Sequence, residues 1–275
     1  MNKKAFIGIL LALGIPIVSF FMMKYLSDNA IHMPRHYLLD SITTTVKDGK
    51  QKKDSVWHTL ANIHLVNQLG DSVDLYSIKN KVIVADLFFT SCGSICPSLT
   101  RHMSMMQKSF LKGGGTRMEE DSSNVQFLSF SIDPERDTVA KLKKYADQYG
   151  VIHDNWWFLT GNKDSIYNYI FQELKVDKFS DQPIDPNFAH TAYFVLIDKN
   201  YQVRGYYNGL DTIDALPRMA NDIGLLIVEK DKAHPSPLPF DPNTLAIIGI
   251  IAAIIVLIIM KRIQLKSKKE ILESK

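Results

Sequence analysis

Two stretches of this chain have almost no polar positions, and they flank a long segment of mixed pattern. Ala5 to Met23 is almost wholly apolar and follows Lys3 and Lys4. Leu245 to Met260 carries no charge. With its flanks to Ile263 it gives about 20 residues, or about 30 Å of helix, enough to cross a hydrocarbon layer. A buried helix of a soluble domain keeps a polar face, and this stretch has none. Both stretches are therefore expected to span a membrane. Lys24 follows the first directly, with no small-x-small cleavage site nearby, so the reading is an uncleaved signal anchor rather than a cleaved signal peptide.

Between the spans the pattern alternates between short β-branched runs and helical periodicity. Residues 27–56 are polar and mixed, a membrane-proximal segment with a hairpin turning at Lys47-Asp-Gly-Lys50. Trp57 to Val66 carries a first strand pattern, Asn67 to Asp71 a turn, and Val73 to Leu75 can pair back. Val82 to Phe89 is a buried strand by its unbroken apolar run. Helical spacing of Leu99, His102, Met103, Met106 and Phe110 predicts a helix over Ser98 to Leu111, closed by Gly113 to Gly115. Val125 to Ile132 reads as a strand, and Thr138 to Gln148 as a helix with Asp137 as its N-cap. A strand at Trp156 to Leu159 and a helix over Asp164 to Leu174 come next, then a polar loop from Phe179 to Asn187. Strands at Ala189 to Ile197 and Tyr201 to Tyr207 precede a closing helix over Asp211 to Val228. His234 to Pro242 is proline-rich and stiff.

The expected organisation is a signal anchor at 1–26, a membrane-proximal segment at 27–56, and a globular domain at 57–230. A linker at 231–243, a second membrane helix at 244–263 and a basic tail at 264–275 complete it. Alternating strands and helices, ending in a hairpin and a helix, make a mixed α/β sheet. Lys261, Arg262, Lys266, Lys268 and Lys269 put the tail in the cytoplasm by the positive-inside rule, and Lys3 and Lys4 agree. Residues 24 to 243 then face the periplasm or an equivalent exoplasmic space. The net charge of +3 is modest, and the basic residues form no arginine-rich stripe, so nucleic acid is not an expected partner.

The chemistry centres on Cys92 and Cys96, the only two cysteines. They follow the Val82 strand and precede Pro97, which a first helical turn accepts. Strand, cysteine pair and helix in this order is a thioredoxin-like arrangement, with the thiols beyond the carboxyl end of a central strand. The positive end of the helix favours thiolate. Two thiols at this spacing suit either a small disulfide or a soft metal ion. The usual redox motif has two intervening residues, whereas Gly93, Ser94 and Ile95 here make three and give more room for a metal.

Eight histidines compete as a further ligand. His32, His36 and His234 lie in membrane-proximal segments, His58 and His64 in or beside the first strand, His102 on the cysteine helix and His153 in a surface turn. His190 differs, because it opens a strand after a proline-rich loop. Met103, Met105 and Met106 read as core filler rather than copper ligands. Asp133 and Asp137 read as turn and cap residues. Asp86, inside the central strand, needs a partner such as Lys81 or a role in tuning the thiols.

Three segments resemble the SCO (SenC) family of copper-binding, thioredoxin-like assembly proteins. Phe88 to Pro97 is similar to its CxxxCP motif, Ser131-Ile-Asp-Pro-Glu-Arg-Asp-Thr138 to its SxDPxxDT stretch, and His190-Thr191 with the strand to Asp198 to its ligand-histidine region. The resemblance covers roughly residues 57 to 228. It implies copper, as Cu(I) or Cu(II), held by Cys92, Cys96 and His190. It also implies delivery of that copper to the CuA centre of cytochrome c oxidase subunit II or a similar copper-accepting protein, or reduction of that site's cysteines. Gly93 stands where many members have proline, and a second membrane span is not usual for the family. The function expected is thus a copper chaperone in the cytoplasmic membrane, a binding protein rather than an enzyme. A thiol–disulfide oxidoreductase is the alternative, and a peroxide-reducing enzyme on the same fold a third class.

Overall fold

The computed structural model describes residues 14, 18–22, 33–47, 50–110, 124–179, 185 and 191–229. The chain divides into two units, Met1–His32 with Lys230–Lys275, and Met33–Glu229. In the first, residues 14 and 18–22 are helical. Among the described residues no helix is long and apolar enough to cross a membrane. The second expected span, and all but residues 14 and 18–22 of the first, lie outside the described residues.

The Met33–Glu229 unit is built on a five-stranded sheet. Its strands are β5 (Val82–Phe88), β6 (Val125–Ser131), β7 (Trp156–Leu159), β8 (Tyr193–Ile197) and β9 (Val203–Asn208), in the order β7-β6-β5-β8-β9. β5, β6 and β7 are mutually parallel, β8 is antiparallel to β5, and β9 is antiparallel to β8. β5 is the middle strand and every residue in it is buried. Burial on both faces is why its sequence is a continuous apolar run rather than an alternation.

Successive residues of β5 still point to opposite faces. Val82, Val84 and Phe88 pack with α1 (Cys96–Ser109), α2 (Val139–Gln148) and α5 (Ala215–Val228), through Leu99, Met103, Leu142, Met219 and Ile223. Ile83, Ala85 and Leu87 face a second layer. That layer holds the hairpin of β3 (His64–Val66) and β4 (Ser72–Asp74), α3 (Lys163–Asn168), a π-helical turn at Tyr169–Glu173, and α4 (Val176–Phe179). Each fully buried Leu, Ile or Phe contributes about 2 kcal/mol, so the two layers hold the sheet from both sides.

A separate hairpin of β1 (Leu39–Lys47) and β2 (Lys50–Trp57) closes with Lys47 opposite Lys50, as the turn residues predict. It is tied to the domain where His58 N–H donates to the Leu38 carbonyl at 2.8 Å and Tyr37 N–H to the Val203 carbonyl at 3.1 Å. The His58 ring lies 3.1 Å from both Asp40 and Glu173.

Several boundaries differ from the sequence reading for physical reasons. Trp57 ends β2, and only His64–Val66 of the Trp57 to Val66 run is a strand, because Leu60 leaves the extended path to fill the core. Leu75 turns into a 3-10 helix capped by Asp74 instead of extending β4. The helix over 164–174 runs from Lys163 into the π turn, and the closing helix starts at Ala215, after a turn in which Asp211 accepts from Ile213 and Asp214. Asp137 is not an N-cap: Thr138 holds that position with no side-chain cap, and the Asp137 carboxylate is used elsewhere. The loop readings at Gly113 to Gly115 and from 180 to 187 fall outside the described residues, Asp185 excepted.

Candidate metal centre

The two thiols lie where β5 hands over to α1. β5 ends at Phe88, and α1 begins at Cys96 itself, two residues earlier than its periodicity suggests. Pro97 occupies the first turn, and Ile95 at the N-cap offers no side-chain hydrogen bond. The helix end therefore keeps its positive potential for the cysteine loop. That loop is a tight turn, with Cys92 N–H donating to the Phe89 carbonyl at 3.2 Å. A Cβ built at Gly93 would meet nothing within 4 Å, so the loop has room for a side chain there.

Cys92 is 8% exposed and Cys96 is fully buried. Their electrostatics split in opposite directions. Burial works against ionising Cys92, but hydrogen bonds from Cys96 and from Ser94, whose Oγ lies 3.5 Å from the Cys92 sulfur, outweigh it and bring its pKa down to about 6. For Cys96, burial first and the neighbouring Cys92 thiolate second push the pKa far up. The pair is thus a reactive thiolate at the mouth and a protonated thiol beneath it.

Asp86 lies on the α1 side of β5, 2% exposed. Burial raises its pKa to about 7, against a hydrogen bond from Ser129 that lowers it. Ser129 itself accepts from the Trp156 indole at 2.9 Å. Oδ1 of Asp86 has no hydrogen-bond partner among the described residues. Ser129, not Lys81, is the neighbour that hydrogen-bonds this carboxyl, and its negative charge contributes to the rise at Cys96.

The histidines divide clearly. His58 bridges Asp40 and Glu173, and His153 lies 3.0 Å from both Gln68 and Asp147. His36 stacks on Trp57, and His102 donates through Nδ1 to the Gly209 carbonyl at 2.7 Å. These are structural roles. His190, with His32 and His234, lies outside the described residues. Among the described residues, no group of three His, Cys, Asp or Glu side chains could hold a metal ion, so these residues supply the thiol pair alone. Met103 and Met106 are core residues, while Met105 is 67% exposed.

Sequence reasoning missed the contact at Asp137. Its carboxylate accepts from Thr90 N–H at 3.2 Å, from the Thr90 hydroxyl, and from the Ser131 hydroxyl at 2.6 Å. The available signal was the tandem of hydroxyl residues Thr90 and Ser131 at the ends of adjacent strands.

A sequence profile of the SCO1/SenC family matches residues 52–223. A Bacillus subtilis SCO1 protein homolog is 34% identical over 164 residues, covering 59% of this chain and 80% of that protein. A Stutzerimonas stutzeri protein, provisionally described as copper-binding, is 23% identical over 195 residues, covering 70% of this chain and 87% of its own. The solved structure of BsSco, a member of the Sco family of cytochrome c oxidase assembly proteins in which a disulfide switch was identified, is 31% identical. It superposes with a TM-score of 0.51 over 64% of this chain and 98% of its own. The mixed sheet with its cysteine loop is the thioredoxin-like Sco fold, and this chain belongs to the SCO1/SenC family.

Proposed function

We propose that this protein is a membrane-anchored copper chaperone that binds copper through Cys92, Cys96 and His190 and hands it to the CuA centre of cytochrome c oxidase subunit II or a similar acceptor. The observation that carries this reading is the thiol pair at the uncapped N-terminus of α1, one sulfur poised as thiolate and the other beneath it. Such a pair is a donor set for a soft cation. Family membership and the copper-binding description of the Stutzerimonas relative support the choice of copper.

His190 enters as the third donor through its neighbours. β8 is antiparallel to β5, so the approach to β8 belongs to the end of the sheet where β5 meets the cysteine loop. Ala192 accepts from Gly209 N–H at 2.8 Å, and Gly209 lies against Leu99, three residues past Cys96. His190 directly precedes Thr191 in the sequence. Anchoring by spans at both ends, with residues 24 to 243 on the exoplasmic side, follows from the apolar stretches and the flanking lysines.

A second reading is favoured by the same split in acidity. A low-pKa outer thiol above a protonated inner one suits thiol–disulfide exchange, and BsSco has a disulfide switch. The His190→Ala variant separates the two. Imidazole serves both copper oxidation states, and the harder Cu(II) depends more on nitrogen. The chaperone reading expects copper affinity to fall sharply, more for Cu(II) than for Cu(I), with the Cys92–Cys96 disulfide still forming. Unchanged affinity for both ions together with collapse of disulfide reduction would replace the chaperone with an oxidoreductase.

A further inference from the structure

The carboxylate of Asp137 is 1% exposed, and no basic side chain pairs with it among the described residues. A charge so placed costs several kcal/mol unless hydrogen bonds replace its water. Here neutral donors do so, and they come from two different segments, the start of the cysteine loop and the end of β6. Thr90, two residues before Cys92, gives both its N–H and its hydroxyl. Ser131, the last residue of β6, gives its hydroxyl at 2.6 Å. The Ser131 oxygen in turn accepts from Asp133 N–H at 3.1 Å, and Asp137 N–H donates to the Asp133 carbonyl at 2.9 Å. The Asp133–Asp137 turn and the start of the cysteine loop are therefore one hydrogen-bonded unit. A parallel register, Phe88 opposite Ser131, brings these two strand ends together.

Hydrogen bonds to a charged group contribute more than neutral ones. Two of them fall on a single residue, Thr90. The far end of the loop is already fixed, because Cys96 is the first residue of α1 and is fully buried. Only the near end, which carries the more exposed sulfur of Cys92, needs a separate restraint. Cys92's own N–H bonds back to Phe89, so the backbone from 89 to 92 turns as one piece about Thr90.

We propose that Asp137 is a positioning residue for the thiol pair: by clamping Thr90 it sets the placement of Cys92 over Cys96, without touching metal or sulfur itself. This builds on the copper reading for one of its readouts but not for the other. The test uses the purified full chain and the variants Asp137→Ala, Thr90→Val and Thr90→Ser. Two quantities are measured, the Cu(I) dissociation constant by competition with a chromogenic chelator, and the equilibrium constant of the Cys92–Cys96 disulfide against glutathione.

Loss of the clamp lowers the effective concentration of one thiol at the other. Asp137→Ala is expected to weaken Cu(I) at least tenfold and to disfavour the disulfide at least tenfold. Thr90→Val, which keeps the shape and the N–H but loses the hydroxyl donor, gives a smaller loss in the same direction, about threefold or more. Thr90→Ser keeps both donors and restores both constants to within twofold of the native values. If Asp137→Ala fails to fold, Thr90→Val against Thr90→Ser decides alone. A folded Asp137→Ala protein with both constants within twofold of native, whatever its melting temperature, overturns the clamp. Should the native chain bind no Cu(I), the chaperone reading fails, while the disulfide constant still judges Asp137.

Discussion

At the level of single residues, the two sulfurs are chemically unequal. With its pKa at about 6, Cys92 is mostly thiolate at pH 7, whereas Cys96 is protonated and buried. Brief iodoacetamide treatment of the reduced protein at pH 7 should therefore label Cys92 alone, and peptide mass mapping reads the site. Equal labelling of both would remove the asymmetry. Asp86 sets a second residue-scale prediction. Its folded pKa of about 7 lies above the unfolded value of 3.8, so the folded state holds its proton longer. Its contribution to stability is full below about pH 4, falls as pH rises, and is lost by about pH 7. At about 1.4 kcal/mol per pH unit the whole change is on the order of 4 kcal/mol. Cys96 above it and Tyr145 from α2 stay protonated throughout this range. Asp86→Asn should thus gain stability relative to the native chain between pH 5 and pH 7, seen as a melting-temperature difference that grows with pH over that range. A difference independent of pH would show that Asp86 ionises as if in water. The positions of Cys92 and Cys96 could be read from the sequence because the junction of strand and helix that holds them is local. The roles of Asp137 and of Asp86's partner Ser129 could not, because each depends on β6 lying beside β5, a contact between residues some 43 to 47 positions apart.

Among the elements, the ones buried on both faces were the easiest to read. β5 and β6 announce themselves by unbroken apolar runs, and α1 by its 3.6-residue stripe. Helix starts were harder. α1 has no side-chain cap because its first turn serves the cysteine loop, and α2 starts at a Thr138 with no side-chain bond because the nearby carboxylate of Asp137 is turned to Thr90. Both departures from capping rules lie beside the cysteine loop, where tertiary contacts override local preference. A polar residue also hides within the apolar stripe of α1. Gln107 is fully buried and donates to the Ile152 carbonyl and the Asn155 side chain, each at 2.7 Å, while its own oxygen accepts from Ile152 N–H at 3.1 Å. It joins the far end of α1 to the segment leading into β7. Gln107→Leu preserves volume but withdraws both partners from the Ile152 backbone. The expected cost is about 2–3 kcal/mol, because buried backbone groups are left without their hydrogen bonds. Urea unfolding should show the midpoint falling with its slope unchanged; a loss under about 0.5 kcal/mol would mean that water replaces the amide.

Across the Met33–Glu229 unit as a whole, one guanidinium holds the two ends of the fold together. Arg204 on β9 is 3% exposed. Its Nε and Nη2 donate to the Pro34 carbonyl at 3.0 and 2.6 Å. Nη1 donates to Asp198 at 2.8 Å and to Glu229 at 2.7 Å. Pro34 is the second residue of this unit and Glu229 the last, so the start, the end and the β8–β9 turn meet at one side chain. Burial opposes its charge, yet the two carboxylates more than offset this and keep it protonated. Arg suits the place because its planar fork can serve three acceptors at once, whereas a lysine ammonium on a flexible stem cannot hold the same directions. Arg204→Leu strands two buried or half-buried carboxylates and the Pro34 carbonyl, and removing one partner of a buried pair costs about 3–5 kcal/mol. Arg204→Lys should recover only part of that, since it keeps the charge but not the fork. The measurement is urea unfolding of the three proteins, paired with limited proteolysis across residues 33–38. The tie predicts that both variants are less stable, in the order native, Lys, Leu. It also predicts early cleavage near Tyr37, whose N–H bond to Val203 depends on the neighbouring residue staying in place. A Leu variant within 1 kcal/mol of native, with the 33–38 segment still protected, would mean that β9 holds the start of the fold without Arg204.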